Sequence, residues 1–232
     1  MARSKENKVN GQQHLQRSEY MNKKICYIVG AGENYGLDFI PSKEDFVIAA
    51  DAGLRYLEEK GIFANLTVGD FDTLQYIPQG ENVLRLPPEK DDTDMSIAVK
   101  EGIRAGYTLF HIYCGTGGRM DHTIANLQIL AYLSERGMQG YLFDKDSVFT
   151  AITDRELVFD RIDGGYVSVF SWSERSVGVY LKNLKYELHD ALLTNDFPLG
   201  VSNEFIGKES SILVRSGTLL VNFPRAASGR IL

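Results

Sequence analysis

The feature that most constrains the fold of this 232-residue chain is a change of pattern near residue 146. Between residues 25 and 145, short apolar runs typical of buried strands alternate with segments whose apolar residues recur at helical spacing. From residue 146 onward, only short strand-like runs separated by turn residues remain. The first part predicts an α/β domain with a mainly parallel sheet, and the second predicts an all-β sandwich domain.

The individual elements follow from the same patterns. Strands are predicted at 25–29, 46–50, 66–68, 83–86, 109–113 and 141–143, and helices at 53–60, from 95 to the glycine at 106, and at 122–136. The strands predicted in the second part cover 147–152, 156–159, 166–171, 177–181, 190–194, 211–215 and 218–222. A loop is expected between consecutive elements.

Charge is distributed unevenly. Residues 1–24 carry six Lys/Arg and two Glu, a net +4, which leaves −10 on the other 208 residues of a chain whose total is −6. We interpret residues 1–24 as a disordered basic tail. The acidic body argues against a nucleic-acid partner, which would require a basic surface.

The hydropathy of the chain and the positions of its two cysteines indicate the cellular compartment of the protein. The chain has no run of 18 apolar residues, so no membrane span is expected. Cys26 and Cys114 each lie in or beside an apolar run, which favours small buried thiols in a reducing compartment. We therefore expect a cytoplasmic protein.

The first acidic cluster, Gly69-Asp70-Phe71-Asp72-Thr73, follows an apolar run that ends at Val68. In an extended backbone, Asp70 and Asp72 would lie on one face and Phe71 on the other. Two such carboxylates repel each other unless a cation or water separates them. Taken alone, the cluster is equally compatible with a solvated turn.

The second acidic cluster, Lys90-Asp91-Asp92-Thr93-Asp94, opens a helical pattern. Capping by Thr93 or Asp92 would explain one or two acids, but not three acids beside a lysine. Both clusters together predict a site for a hard cation such as Mg²⁺, which takes oxygen ligands from protein, phosphate and water. The expected chemistry is phosphoryl transfer, with Asp94 as a further metal ligand and Lys90 contacting phosphate.

Two glycine-rich segments follow predicted strands. The segment 115–122 precedes a helix, where backbone N–H groups and Arg119 can bind phosphate, although it lacks the Walker A pattern. The segment 30–36, with Asp51 at the end of the next strand, imitates a dinucleotide-binding fingerprint. Pro41 interrupts the crossover helix that such a fingerprint requires, which favours a loop that lines a nucleotide site.

Taken in order, the motifs resemble those of the thiamine pyrophosphokinase family. The stretches that carry the resemblance are Ala50-Asp51-Ala52-Gly53, Gly69-Asp70-Phe71-Asp72-Thr73, Lys90-Asp91-Asp92-Thr93-Asp94, Gly117-Gly118-Arg119-Met120-Asp121-His122, Leu184-Lys185-Tyr186 and Gly200-Val201-Ser202-Asn203-Glu204-Phe205. The family more often has Ala-Asp-Gly-Gly at 50–53 and Ser at 73. The matches extend from about residue 25 to residue 223 and exclude the basic tail.

The resemblance implies pyrophosphoryl transfer from ATP to thiamine, with Mg²⁺, in a homodimer whose active sites lie between subunits. It implies that residues 25–145 form the nucleotide- and metal-binding catalytic domain and residues 146–232 the thiamine-binding β-sandwich. The residues it assigns to metal and catalysis are Asp70, Asp72 and Asp94, with Arg119 also catalytic. The residues it assigns to the nucleotide are Asp51, Lys90, Asp91, Thr93, Gly118 and Arg119, and those assigned to thiamine are Asp121, Ser202, Asn203 and Tyr186.

Two other functions remain open from the residues alone. One is a nicotinamide-dependent oxidoreductase that uses residues 30–36 and Asp51. The other is a sensor that binds nucleotide or thiamine without turnover. The identity of any general base is also open, with Asp51 and Asp72 as the candidates.

Overall fold

The structure is a computed structural model that describes residues 24–230, apart from residues 72, 73, 75, 77, 88 and 90. The predicted tail, residues 1–24, lies outside the described residues except for Lys24. In the described part of the chain, no helix combines the length and the apolar character needed to cross a membrane.

Six parallel strands form the first half of the main sheet. They are β1 (Ile25–Val29), β2 (Phe46–Ala50), β3 (Leu66–Gly69), β4 (Val83–Arg85), β5 (Leu109–Tyr113) and β6 (Gln139–Phe143), in the spatial order β6-β5-β1-β2-β3-β4. Every neighbouring pair among them is parallel. Strands buried on both faces read as continuous apolar runs, which is why the pattern located β1, β2 and β5 correctly. The predicted mainly parallel sheet is confirmed.

Three helices cover this part of the sheet: α1 (Gly53–Lys60), α2 (Asp94–Arg104) and α3 (Met120–Ser134). Buried residues of α2 and α3 share one cluster with Cys26 and Ile28 of β1. Leu57 of α1 packs instead with Tyr27 and Val29, which point to the opposite face of the same strand. The helices therefore lie on both faces of the sheet.

Eight strands make up the second half: β7 (Ser147–Thr153), β8 (Glu156–Ile162), β9 (Tyr166–Ser171), β10 (Arg175–Lys182), β11 (Leu188–Thr194), β12 (Gly200–Glu204), β13 (Lys208–Leu213) and β14 (Thr218–Pro224). A 3-10 helix, Arg225–Arg230, follows them. Strands β11, β10, β13 and β8 form a separate four-stranded antiparallel sheet. Val169 and Val221 of the main sheet share a buried core with Val179 and Ile212 of the smaller sheet. The predicted all-β sandwich is confirmed.

The main sheet continues from the first half into the second. Strand β6 pairs antiparallel with β7, with Leu142 opposite Phe149, and the sheet runs on through β14 and β9 to β12. Within the described residues the sheet has ten strands, and it continues past the turn at residues 144–146, where the sequence pattern changes. Helix α3 packs on β6, β7 and β14. The two halves thus share backbone hydrogen bonds as well as side-chain contacts.

Strand β12 was not predicted from the sequence. Its pairing with β9 shifts register between Gly200 and Asn203, and Ser202 has a left-handed φ of +58°. An irregularity of this kind breaks the apolar-polar alternation by which strands are recognised. The other differences are at element ends, as at β13, which covers Lys208–Leu213 and not 211–215.

Candidate active site

The carboxyl ends of the parallel strands open into a cleft of about 470 Å³. The chain proceeds outward from β1 to β4 and then returns to β5 on the other side of β1. Ligands of open α/β sheets bind where the strand order reverses in this way, because the flanking loops diverge there. The lining comes from the loops after β1, β2 and β5 and from the first turns of α2 and α3, with Tyr56 of α1.

Two of these loops, those after β1 and β5, lie against each other and are joined by hydrogen bonds. The amide of Gly32 donates to the carbonyl of Cys114 (2.8 Å), and the amide of Glu33 donates to the carbonyl of Thr116 (2.9 Å). A Cβ at Gly32 would lie 2.5 Å from the Thr116 carbonyl oxygen, so only glycine permits this approach. Residues 30–45 contain no helix. Gly30 and Gly32, two of the glycines that imitate a dinucleotide fingerprint, therefore serve the packing of these two loops against each other.

Two cleft residues, each directly after a strand, have a left-handed backbone conformation. The φ angle is +50° at Asp51, after β2, and +53° at Cys114, after β5. Residues other than glycine seldom adopt this conformation, and it concentrates at ligand-binding positions when it occurs. The resulting sharp turn places Asp51 on the cleft wall.

Asp70 follows β3 and lies beside the end of β2. The amide of Asp51 donates to the carbonyl of Val68 (2.7 Å). Gly69 abuts the same residue so closely that a Cβ on it would lie 3.1 Å from the Asp51 Cα. The pairing of β2 with β3 thus brings two of the predicted site acids to neighbouring strand ends.

The backbone of the first acidic cluster is not extended at Phe71, so the condition for placing Asp70 and Asp72 on one face is not met. Its φ angle is +64°, and its ring is buried with Ala52 and Leu74. Burial of this ring turns the chain, so the alternation of an extended strand cannot be used to relate Asp70 to Asp72. Asp72 itself lies outside the described residues.

The second acidic cluster divides into structural and cleft residues. The Thr93 hydroxyl caps α2 by accepting from the Ser96 amide (3.1 Å). Asp92 accepts from the Ser96 hydroxyl (3.1 Å) and pairs with Lys100 (2.6 Å). The hydrogen bond from Lys100 lowers the pKa of Asp92, and the charge of Lys100 adds to the effect. These contacts give Asp92 a role in fastening the first turn of α2.

Asp94, two residues further along, lies on the cleft wall together with Thr93. Asp91 does not line this cleft: it lies in a second depression between α2 and α3, with Gln128 and Tyr132. Of the predicted nucleotide residues in this cluster, the structure therefore brings Thr93 to the cleft and leaves Asp91 outside it. Lys90 lies outside the described residues.

Two of the three predicted metal ligands, Asp70 and Asp94, are among the described residues. Among the described residues, no group of three His, Cys, Asp or Glu side chains is arranged to hold a metal ion. Asp72, one of the three predicted ligands, is not among them. The described part does bring Asp51 and Asp94 onto the cleft wall, and Gly69, the residue before Asp70, lies against Asp51. Carboxylates of this kind suit Mg²⁺, which keeps few protein ligands and takes the rest from phosphate and water.

The loop after β5 leads into the N-terminus of α3. Gly118 has a left-handed φ of +65°. Arg119 occupies the N-cap position of α3, and its side chain makes no capping hydrogen bond to the helix. The Arg119 guanidinium pairs with the Asp121 carboxylate (2.6 Å), and this hydrogen bond lowers the pKa of Asp121. Both side chains are exposed. Arg119 and Asp121 were predicted to contact nucleotide and thiamine respectively, so their pairing couples the two predicted binding roles.

Several cleft residues were not predicted as site residues. Asn126, buried in α3, donates to the carbonyl of Gly115 (2.6 Å) and so fastens the glycine-rich loop. His122 lies one turn before it on the cleft wall. The Tyr56 hydroxyl donates to the carbonyl of Gly32 (3.1 Å) on the facing loop. The sequence signal for Asn126 and His122 is their spacing of four, which places both on one face of the helix.

The predicted thiamine residues of the second half lie away from this cleft. Every described residue that lines the cleft comes from the first half. The amide of Asn203 is buried and engaged by the backbone of Tyr186: its Oδ1 accepts from the Tyr186 amide (2.9 Å) and its Nδ2 donates to the Tyr186 carbonyl (2.6 Å). The side chains of Tyr186 and Ser202 are exposed. Asn203 therefore holds the segment that presents Tyr186.

Comparison with known families gives an independent result. The model of the thiamin pyrophosphokinase catalytic domain matches residues 38–142, and the model of the thiamin pyrophosphokinase vitamin B1 binding domain matches residues 153–219. The chain belongs to the thiamin pyrophosphokinase family. The family resemblance inferred from the sequence motifs is confirmed.

Individual thiamin pyrophosphokinases agree with this assignment. The chain is 26% identical over 208 residues to the thiamine pyrophosphokinase of Bacillus subtilis (strain 168), covering 86% of this chain and 97% of the relative. It also resembles the crystal structure of the enzyme from Geobacillus thermodenitrificans (TM-score 0.75, 25% identity, 88% of this chain and 99% of that one). The Candida albicans enzyme shares the fold at 13% identity, with a TM-score of 0.73 over 88% of this chain and 90% of that one.

Membership of the thiamin pyrophosphokinase family makes the chain an enzyme that forms thiamine diphosphate, with thiamine and a nucleotide as its substrates. These comparisons support neither the nicotinamide-dependent oxidoreductase nor the sensor without turnover. The cleft at the strand ends lies within the region matched by the catalytic-domain model.

Proposed function

We propose that this enzyme transfers the pyrophosphoryl group of ATP to the hydroxyl group of thiamine, using Mg²⁺, and that it does so as a cytoplasmic homodimer. The observation that carries the proposal is the cleft itself. It combines a glycine-rich loop, an uncapped helix N-terminus and the carboxylates of Asp51 and Asp94 at the point where the strand order reverses. The two buried free thiols, Cys26 and Cys114, suit a reducing compartment.

The nucleotide side of the cleft is formed by the loop after β5 and the start of α3. Backbone N–H groups at a helix N-terminus attract phosphate, and Gly118 leaves room for it because it has no neighbour within 4 Å of a Cβ position. Arg119 adds a planar cation that can bind two phosphate oxygens at once. Phosphate binding would draw Arg119 away from Asp121 and release that carboxylate for the thiamine.

The carboxylates that follow β2 and β3 and the one that begins α2 suit the divalent ion. Asp70 and Asp94 would hold it, with Asp72 as the third predicted ligand. When bound, Mg²⁺ offsets negative charge on the polyphosphate and on the departing AMP. In the transfer, the thiamine hydroxyl oxygen bonds to the β-phosphorus, the bond from that phosphorus to the oxygen shared with the α-phosphorus breaks, AMP leaves and the hydroxyl proton is released. The transition state of such a phosphoryl-type transfer is loose. Catalysis therefore depends on alignment of the reactants and on charge stabilisation more than on a strong base.

The position of the thiamine residues supports the homodimer. Tyr186, Ser202 and Asn203 belong to the second half, whereas the described residues that line the cleft all belong to the first half. A second copy of the chain would supply its own Tyr186 and Ser202 to this cleft. Asn203 would act indirectly, by fixing the backbone of Tyr186.

The reaction is tested by measuring AMP and thiamine diphosphate formed from ATP, Mg²⁺ and thiamine. We expect equal amounts of both products and no AMP without thiamine. AMP that does not exceed the thiamine-free control would refute the proposed reaction. ADP in place of AMP would show transfer of one phosphoryl group, and activity that survives EDTA would remove the metal from the proposal.

The shared active site has a separate test. Asp94→Asn and Tyr186→Ala chains, each of low activity alone, are co-expressed with different tags and purified as mixed dimers. If each site takes residues from two chains, one site of a mixed dimer is intact and the preparation regains about half of the wild-type activity. If each site belongs to one chain, the mixed dimer stays as inactive as its parents.

A further inference from the structure

Arg225 is the first residue after β14 and belongs to the second half of the chain. Its side chain contacts two segments of the first half, one after β1 and one after β6. Its side chain is 14% exposed. One guanidinium nitrogen donates to the carbonyl of Gly36 (2.9 Å) and to the carboxylate of Asp38 (2.9 Å). Another donates to the carbonyl of Asp144 (2.8 Å). One side chain thus joins the segment after β1 to the segment after β6.

Asp144 carries this connection onward to the glycine-rich loop. Its carboxylate accepts from the Thr116 hydroxyl (2.7 Å). The Thr116 carbonyl in turn accepts from the amide of Glu33, in the facing loop (2.9 Å). These contacts close a ring that runs from Arg225 through Asp144, Thr116 and Glu33 and back along the chain to Gly36. The two cleft loops after β1 and β5 both belong to this ring.

The guanidinium is held in place by the surface beneath it. It lies 5.8 Å from the centroids of Tyr113 and Phe143, whose rings stack on each other at 4.5 Å. Asp38 also accepts a hydrogen bond from Tyr113. Partial burial opposes ionisation of Asp38, but the hydrogen bond and charge of Arg225 outweigh it and lower the pKa of that carboxyl. The ion pair between Arg225 and Asp38 is therefore charged at neutral pH.

We propose that Arg225 is a positioning residue that holds the loops at 30–36 and 115–119 at the spacing required by the nucleotide. It does not line the cleft, so it acts through Gly36 and Asp144. The inference rests on the proposed function in taking this cleft as the nucleotide site. It assigns to the second half of the chain a part in nucleotide binding, in addition to the thiamine contacts proposed above.

The test compares Arg225→Gln, Arg225→Lys and the control Arg161→Gln. Arg161 forms an exposed pair with Asp163 two residues away, so its loss removes a cation from the same half without touching the cleft loops. Amide hydrogen exchange is followed in residues 30–36 and 115–119 of the full-length protein. In parallel, the Kd of a fluorescent ATP analogue and the KM and kcat of the reaction are measured.

For Arg225→Gln we expect faster exchange in both segments and a nucleotide Kd and KM raised about 10-fold or more, because displaced loops no longer match the ligand. Arg225→Lys should recover part of the affinity, since one ammonium can satisfy only some of the acceptors. A purely structural role would lower the folded fraction and therefore the apparent kcat, and it would leave KM unchanged. Unchanged exchange in both segments of a folded Arg225→Gln protein would overturn the proposal.

Two further outcomes are distinguishable. If Arg225→Gln does not fold, Asp38→Asn tests the same contact from the other side while retaining the guanidinium. Absence of increased exchange at 30–36 in that variant would count against the inference. If wild-type protein binds the ATP analogue but forms no AMP with thiamine, the proposed reaction fails, while the exchange and binding data still decide the role of Arg225.

Discussion

Gly53 lies directly against the carbonyl oxygen of Val29: a Cβ on Gly53 would be 2.0 Å from that atom. Gly53 is the first residue of α1, and Val29 is the last residue of β1. The close contact sets the start of the helix against the strand end that leads into the cleft. Ala52, in contrast, is buried with its side chain accommodated, which explains why this chain tolerates alanine there.

Gly53→Ala should therefore destabilise the protein by about 1–3 kcal/mol, because the added methyl group must push helix and strand apart. Loss of nucleotide affinity should accompany it, since Asp51 lies two residues away on the cleft wall. Denaturant unfolding and nucleotide titration measure the two effects. Gly164→Ala, at a position with no atom within 4 Å and no left-handed φ, is the matched control. Equal stability of the two variants would contradict the argument.

Asp94 and Asp92 should differ sharply although they belong to one acidic cluster. Asp94→Asn should lower kcat/KM by about 10²-fold, since the cleft loses a charge that stabilises the reacting polyphosphate. The Mg²⁺ concentration required for half-maximal rate should also rise. Asp92→Asn should change the rate by less than about 5-fold, because that carboxylate is engaged by Lys100 and Ser96. Similar losses at the two positions would show that the cleft assignment is wrong.

Asn203→Ala should affect thiamine more than nucleotide. The substitution leaves the backbone N–H and C=O of Tyr186 without their buried partner, at a cost of about 1–3 kcal/mol. The KM for thiamine should rise while the KM for ATP stays constant. Tyr186→Ala should raise the same KM, and the double variant should be less than additive because both changes act on one segment. Additive effects, or a rise in the KM for ATP, would argue against this role.

His111 predicts a pH dependence of stability. Its imidazole lies among the rings of Tyr27, Tyr141 and Phe143, and its Nε2 atom is buried. Burial lowers the pKa of His111 from 6.5 to about 4, although the negative charges of Asp45 and Asp38 act in the opposite direction. Because the unfolded chain takes up this proton first as the pH falls, the stability is complete above pH 6.5 and decreases between pH 6.5 and 4. The loss amounts to at most about 3 kcal/mol.

The measurement is the free energy of unfolding at pH 7.5 and pH 5 for wild type and His111→Leu. The wild type should lose more stability than the variant over this range, because leucine removes the group that titrates. An identical loss in both proteins would exclude His111 as the source.

The sequence was most informative where burial on both faces leaves an uninterrupted apolar run. Strands β1, β2 and β5 and helix α1 begin and end where the pattern predicts. The junction of the two halves could not be predicted in this way, because the pairing of β6 with β7 depends on the register of whole strands. Strand β12 was missed because its bulge at Ser202 interrupts the alternation.

Within the site, the sequence identified the acids at the strand ends but could not separate their roles. Asp91, Asp92 and Asp94 look alike in the chain, yet only Asp94 lies on the cleft wall. The distinction comes from the direction in which the first turn of α2 leaves Thr93 and from the position of Lys100, two turns later on the same helix. Arg225 was overlooked because its contacts, with Gly36, Asp38 and Asp144, are all far away along the chain.

The hydrogen bonds between β6 and β7 have a consequence for anyone who wishes to shorten this protein. A fragment ending near residue 146 would retain the described lining residues of the cleft but lose Arg225, and it would leave β6, with its apolar Tyr141, Leu142 and Phe143, as an unpaired sheet edge. Unpaired strands of this kind recruit strands from other chains and promote aggregation. The first half, which looks in the sequence like a separate catalytic module, thus has one sheet edge covered by the second half. A fragment extended to include β7 would only move the unpaired edge to β7, which pairs with β14 in the full chain.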